Sequence, residues 1–162
     1  MRRYDSVNIS ELSSVLSKYN IKLKDDIHYR LALTHSSYAN EHNLQSNERI
    51  EFLGDAILGL LVAEYMYKNF KEMPEGAMSK LRATYVCEDA NAKYARAIGI
   101  DKLLLLGRGE EATGGRNRPA ILSDAFESFL GAIYLSNGLN DVRKVLEIEV
   151  FPLILAREEK PF

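Results

Sequence analysis

Residues 47–70 read NERIEFLGDAILGLLVAEYMYKNF, and the architecture follows from this stretch. Apolar residues recur through it at helical intervals, no proline interrupts it, and Asn47 stands at its start where a capping side chain belongs. Glu48, Glu51 and Asp55 are set three and then four residues apart. At about 100° per residue they fall within about 60° of one another on a single helical face. Three like charges on a face that should hold Leu and Ile repel one another unless a cation lies between them. A second acidic pair, Asp124 and Glu127, repeats the three-residue step in another apolar helix, Ser123 to Leu135. Two helices bringing carboxylates to one place predict a divalent-metal site.

The flanking sequence reads as further helices. Ile9, Leu12, Val15, Leu16 and Tyr19 mark one, capped by Asn8 or Ser10. A short helix is expected from Asp25 or Asp26 to Thr34, and the polar run His35 to Ser46 as a connector. Pro74 suits the first turn of a helix through Tyr85, and Asp89 to Ile98 forms another, closed by Gly99. After the short apolar stretch Ile100 to Leu106, four glycines and three arginines between Gly107 and Arg118 predict a mobile basic loop. Pro119 opens the helix that carries Asp124 and Glu127 and ends near Asn137 and Gly138. Asn140 then caps a final helix to Val150, interrupted at Pro152. Period-two alternation is nowhere sustained, so the fold class is all-α. Gly59, four residues after Asp55, and Gly131, four after Glu127, either mark a close helix crossing at these two glycines or are absorbed into ordinary packing.

Composition sets the outer limits. At 162 residues the chain is one domain by size, enough to bury about 70% of the surface its unfolded form exposes. A hydrophobic content of 46% with 27% charged residues is that of an ordinary globular protein. No run approaches the roughly 20 apolar residues that span a bilayer. The start, Met1, Arg2, Arg3, Tyr4 and Asp5, turns polar where a signal peptide turns apolar. These features predict a cytoplasmic protein with no membrane partner. Cys87 is the only cysteine, which excludes an internal disulfide and a thiolate metal site; it is expected as a small buried hydrophobe. Formal net charge is −2. Setting aside Glu48, Glu51, Asp55, Glu75, Asp124 and Glu127 as metal-neutralised leaves 17 of 23 acidic residues against 21 basic ones, a mildly cationic remainder.

Carboxylate oxygens without thiols or paired histidines suit hard cations, above all Mg²⁺, with Mn²⁺ able to substitute. Such a site activates water and steadies a phosphodiester oxygen. Spacing alone admits three readings: metal-dependent phosphoryl chemistry, a structural divalent-ion site, or solvated surface charge.

Residues 47–58, Asn-Glu-Arg-Ile-Glu-Phe-Leu-Gly-Asp-Ala-Ile-Leu, closely resemble the signature of ribonuclease III nuclease domains. Leu33, Thr34, His35, Ser36, Ser37 and Tyr38 upstream, and Ser123, Asp124, Ala125, Phe126 and Glu127 downstream, look like that family's other two landmarks in the same order. The resemblance covers essentially the whole chain. It implies an all-α, homodimeric endonuclease that cleaves double-stranded RNA, leaving 5′-phosphate and 3′-hydroxyl ends with short 3′ overhangs, in RNA processing such as that of ribosomal RNA precursors. It also implies that Glu51, Asp124 and Glu127 are metal ligands, with Asp55 and Glu127 catalytic. Glu48 and Glu75 match two further acidic positions lining the cleavage valley, and Phe52 matches the aromatic residue that packs across the dimer interface. No acidic position is missing, which argues against a catalytically inert relative. The rival is a non-cleaving RNA-binding or ribosome-associated module on the same fold.

Bacterial members usually carry a double-stranded RNA-binding domain after the nuclease domain. Here the nuclease domain is expected to occupy residues 1–156, and 157–162 look like the start of a linker or tail. That arrangement predicts weak, salt-sensitive RNA binding, because few phosphate contacts release few counterions.

Other signals carry less. Leu103 to Ala112 imitates a dinucleotide-binding fingerprint, but Gly114, Gly115 and Pro119 follow too soon for the helix that motif requires, and no organic cofactor is expected. Arg108, Arg116 and Arg118 are better candidates for contact with an RNA backbone. His28, His35 and His42 lack the paired Glu-x-x-His spacing of di-iron bundles. His35 is expected as a hydrogen-bonded residue beside the site.

Overall fold

The computed structural model describes residues 7–158. The polar start Met1 to Asp5 and the tail residues 159–162 lie outside the described residues. Ten α-helices are present among them: α1 Ile9–Ser17, α2 Ile27–Ala32, α3 Ser36–His42, α4 Glu48–Asn69, α5 Glu75–Tyr85, α6 Glu88–Ile98, α7 Arg108–Ala112, α8 Pro119–Asn137, α9 Leu139–Glu149 and α10 Phe151–Glu158. Extended pairing among the described residues is limited to one isolated parallel bridge, Thr34 with Leu105. No helix among them is long and apolar enough to cross a membrane.

Helix α8 is the spine. Pro119 supplies its first turn, where a missing N–H costs nothing, and every residue from Ala125 to Ile133 is buried. Phe126 and Phe129 pack on Tyr94 of α6 and Tyr29 of α2, with ring centroids 5.2 and 5.8 Å apart. Each such aromatic removes about 150–250 Å² from water. Helix α4 buries Ile50, Gly54, Ile57, Leu58, Leu61, Val62 and Met66. Its opposite face leaves Phe52, Leu60 and Tyr67 exposed at 82%, 56% and 76%.

The long helices meet closely, but at a different pair of glycines from the one expected. A Cβ at Gly54 would lie 1.6 Å from the Glu127 carbonyl oxygen, and one at Gly131 would lie 2.6 Å from that of Ile50. Position 50 thus faces 131 and 54 faces 127, so α4 and α8 run in opposite directions at the crossing. Gly59 has no neighbour within 4 Å of such a Cβ and plays no part in it. Repeated spacing put Gly59 on the right helix; only the facing backbone selects Gly54.

Other departures have local causes. The polar run expected as a connector contains α3: the His35 side chain caps it by accepting from the Ser37 N–H, Tyr38 and Ala39 are buried, and Asn43 ends it in the left-handed region at φ 53°. The glycine-rich segment after Gly107 is built, holding α7 and a 3₁₀ turn at Gly115–Asn117. Asn140 lies inside α9, and its Oδ1 accepts from Arg143. Pro152 falls in the first turn of a separate α10, which extends to Glu158. Cys87 is exposed, not buried, because it stands in the short junction between α5 and α6.

Candidate metal centre

Three of the acidic residues converge at the α4–α8 crossing. One carboxylate oxygen each from Glu51, Asp124 and Glu127 can be chosen such that all lie within 4.8 Å of one another. Glycine at 54 and 131 permits this, because the backbones touch where side chains would hold them apart. Glu51 and Asp124 are half-buried, and Glu127 is only 8% exposed.

Burial and crowding act on these acids in the same direction. Burial, then the nearby Asp55 carboxylate and repulsion from Glu51 and Asp124, push Glu127 up to about 9. Burial and the Asp124 carboxylate raise Glu51 to about 7. Asp124 is also raised, chiefly by burial, although Glu51 and the nearby His35 pull the other way. The Glu127 Oε2 atom is buried without a hydrogen-bond partner. Three hard oxygen donors, one of them orphaned, with protons held against their ordinary chemistry, fit a divalent cation better than they fit one another.

The remaining expected residues divide into those at this centre and those away from it. Asp55, exposed, acts on both Glu127 and Glu51, and Glu48, also exposed, acts on Glu51 and Asp124. Glu75 stands outside the cluster, exposed at the start of α5, where its Oε1 accepts from Ser79 Oγ at 2.9 Å. It lines a groove of about 480 Å³ with Leu60, Tyr67, Met78 and Arg82. His35 is beside the site as expected, its Nδ1 2.7 Å from Ser37 Oγ, which in turn accepts from the Gly107 N–H. Burial lowers its pKa.

The arginines expected to meet RNA do not form one free set. Arg116 pairs with Glu111 and donates to the carbonyls of Asp101 and Leu104, both at 2.9 Å. Arg118 pairs with Glu110 and donates to the Thr113 carbonyl. Arg108 is exposed, and its backbone N–H donates to Glu41 Oε1. Clustered Gly and Arg read as solvated and mobile, but acidic residues five and eight positions away neutralise two of them. Sequence reasoning also passed over the buried polar residue Ser128. Its only signal was a hydroxyl residue within an otherwise largely apolar helix.

An all-α domain that brings three carboxylates together at an antiparallel helix crossing carries a candidate site for a hard cation. Residues 25–154 match the Ribonuclease-III-like family. The chain belongs to that family. It is 57% identical over 124 residues to Ribonuclease 3 of Oceanobacillus iheyensis, covering 75% of this chain and 54% of that protein. It is 46% identical over 148 residues to Ribonuclease 3 of Geobacillus kaustophilus, covering 90% and 60%. The chain therefore spans about half the length of the curated relatives it matches. A crystal structure of the nuclease domain of ribonuclease III from Campylobacter jejuni superposes with a TM-score of 0.77 at 37% identity, covering 96% of this chain and 99% of that one. A second, which concerns flexibility in a region involved in dimer formation of that domain, gives 0.80 at 38%, covering 90% and 99%.

Proposed function

We propose that this chain is a divalent-metal-dependent endonuclease that hydrolyses phosphodiester bonds in double-stranded RNA. The observation carrying it is the convergence of Glu51, Asp124 and Glu127 oxygens within 4.8 Å. Family membership supplies the reaction class and the substrate. Residues 1–156 are then the nuclease domain, and 157–162 begin its tail.

Glu51, Asp124 and Glu127 would hold the cation, Mg²⁺ with Mn²⁺ as substitute, and its binding would favour their deprotonated forms. Bound there, a divalent cation brings water toward neutral pKa and offsets charge developing on the phosphodiester. Asp55 and Glu127 are the catalytic pair: Asp55, open to solvent beside Glu127, takes the proton of the attacking water. Glu48 adds charge at the rim. Glu75, with Arg82 in the neighbouring groove, lines the path of the RNA. Arg108 contacts the RNA backbone without reading sequence, as phosphate contacts do. Products carry 5′-phosphate and 3′-hydroxyl ends with short 3′ overhangs.

The acting form is a homodimer. Phe52 projects from α4 beside a hollow of about 590 Å³ lined by Leu31, Ile50, Leu53 and Leu135 together with Gln45, Glu48 and Arg49. An aromatic ring this exposed next to a hollow with several leucines in its wall suits a self-complementary contact, in which each copy's ring fills the other's hollow.

A labelled RNA duplex incubated with the chain at low salt, with and without Mg²⁺, tests the reading. Metal-dependent cleavage giving 5′-phosphate ends is expected. Binding without cleavage across metals and pH would favour a non-cleaving RNA-binding module.

A further inference from the structure

Asn47 occupies the N-cap position of α4, yet its side chain makes no capping bond. Asn is among the best N-caps, and forgoing that bond costs a helix about 1 kcal/mol. Asn47 is buried, and its Nδ2 instead donates to the carbonyl oxygen of Ala32 at 3.1 Å. The same oxygen is met from the other side by Ser128 Oγ at 2.8 Å. Ser128, fully buried in α8, also lies 3.0 Å from the Ala125 carbonyl. Ala32 is the last residue of α2, where helix carbonyls lack intrahelical partners. The knot closes with the Asn47 N–H donating to the Thr34 carbonyl at 2.9 Å, and Thr34 Oγ1 donating to that of Arg30 at 2.7 Å.

These bonds fall at informative positions. Asn47 immediately precedes Glu48 and lies one helical turn before Glu51; Ser128 immediately follows Glu127 and lies one turn after Asp124. One carbonyl at the end of a third helix is therefore the shared anchor of both acid-bearing helices. The glycine crossing sets how near α4 and α8 approach. Sliding of one helix along the other must be opposed by contacts beyond the glycines themselves. A buried bond from each helix to one fixed point opposes that sliding.

We propose that Asn47 and Ser128 are positioning residues. Through the Ala32 carbonyl they hold the axial register of α4 against α8, and with it the spacing of Glu51, Asp124 and Glu127 that a cation requires. This rests on the metal-dependent reading above. Groups that orient ligands without touching the cation typically carry 10- to 100-fold in metal affinity or activity.

The test uses the whole chain with Ser128→Ala, Asn47→Ala, Asn47→Asp and the Asn47→Ala/Ser128→Ala pair. Asp matches Asn in size but has no N–H to give to Ala32. Val142→Ala, a buried change in α9 that touches none of these hydrogen bonds, is the stability control. Mn²⁺ affinity is measured without RNA, by titration calorimetry or by loss of the free-ion paramagnetic signal. Thermal midpoints and the Mg²⁺ dependence of cleavage are measured alongside. Each single variant should weaken Mn²⁺ binding about tenfold and raise the Mg²⁺ needed for half-maximal cleavage, with rate recovered at high Mg²⁺. The pair should weaken it by less than the product of the singles, because both act through one acceptor. Val142→Ala should lower the midpoint and leave Mn²⁺ affinity unchanged. Folded variants with a lowered midpoint but unaltered Mn²⁺ affinity would overturn the proposal and leave the metal site standing. Absence of Mn²⁺ binding by the unsubstituted chain would instead remove the metal reading itself.

Discussion

The carbonyl oxygen of Glu127 sits 1.6 Å from where a Cβ on Gly54 would be, so the backbone of one residue of the carboxylate cluster occupies the side-chain space of the opposite helix. Gly54→Ala therefore forces the helices apart. We expect a loss of about 3 kcal/mol, the upper range for overpacking a core, together with loss of metal binding. Gly59→Ala is the contrast: with open space around it and a helical backbone, Ala should stabilise by about 0.5–1 kcal/mol. Urea midpoints of the two variants check both. A tolerated Gly54→Ala would contradict the crossing.

Glu127→Gln keeps the shape of the side chain and removes its charge. Cleavage of a duplex should fall by at least about 10³-fold, in line with removal of a catalytic group, while RNA retention in a gel-shift assay persists. Because Glu127 is the most buried and most strongly raised of the acids, the metal-free variant should be no less stable than the parent near pH 8. Full activity in this variant would dismiss the catalytic role.

The pH dependence of stability has a definite sign. In the folded, metal-free chain Glu127 and Glu51 stand at about 9 and about 7, against 4.5 for each when unperturbed. The folded state thus holds protons that the unfolded state has lost. Stability is fully present below the unfolded value and falls as pH rises through 7 toward 9. Denaturation midpoints measured in chelator from pH 5 to 9 should decline. Saturating Mg²⁺ or Mn²⁺ should flatten the decline, because the cation binds the deprotonated folded form. A midpoint that climbed with pH in chelator would contradict the assigned shifts.

Phe52 contributes almost nothing to the monomer's own core at 82% exposure. Phe52→Ala should leave far-ultraviolet circular dichroism unchanged while shifting the sedimenting species from dimer toward monomer. Burying one aromatic ring at the centre of such a contact is worth about 2 kcal/mol or more per copy, so the dissociation constant should rise by well over tenfold. Unchanged sedimentation would remove Phe52 from the interface.

The two kinds of loop arginine separate by experiment. Arg116→Ala leaves the Asp101 and Leu104 carbonyls without their donor and should cost about 1–3 kcal/mol of stability. Arg108→Ala should leave stability unchanged, weaken RNA binding uniformly across sequences and reduce the salt slope by about one. Calorimetry and salt-dependent binding measure the two effects.

Much of this was legible in residue order because helices obey a short-range rule. Glu48, Glu51 and Asp55 share a face by the 3.6-residue turn alone, and Pro119 and Gly99 mark a start and a stop through their own backbone limits. The fold class, the long α4, the helix carrying Asp124 and Glu127, and the carboxylate chemistry needed nothing beyond neighbours a few positions apart. Helix α3 was missed because its drivers, the His35 cap and the seat for Tyr38, are a specific hydrogen bond and a long-range contact in a run of polar residues.

Contacts between distant segments had no such rule behind them. Local periodicity favours Gly54 no more than Gly59 as the crossing point, and Arg116 gives no hint that it serves Asp101 and Leu104 instead of a phosphate. Asn47 reads as a cap until α2 is seen to end against it. Local order thus established which elements form and which chemistry they carry. The packed molecule alone settled where helices touch, which charges are neutralised within the chain, and how closely three carboxylates approach, because those depend on excluded volume and desolvation between residues up to 130 positions apart.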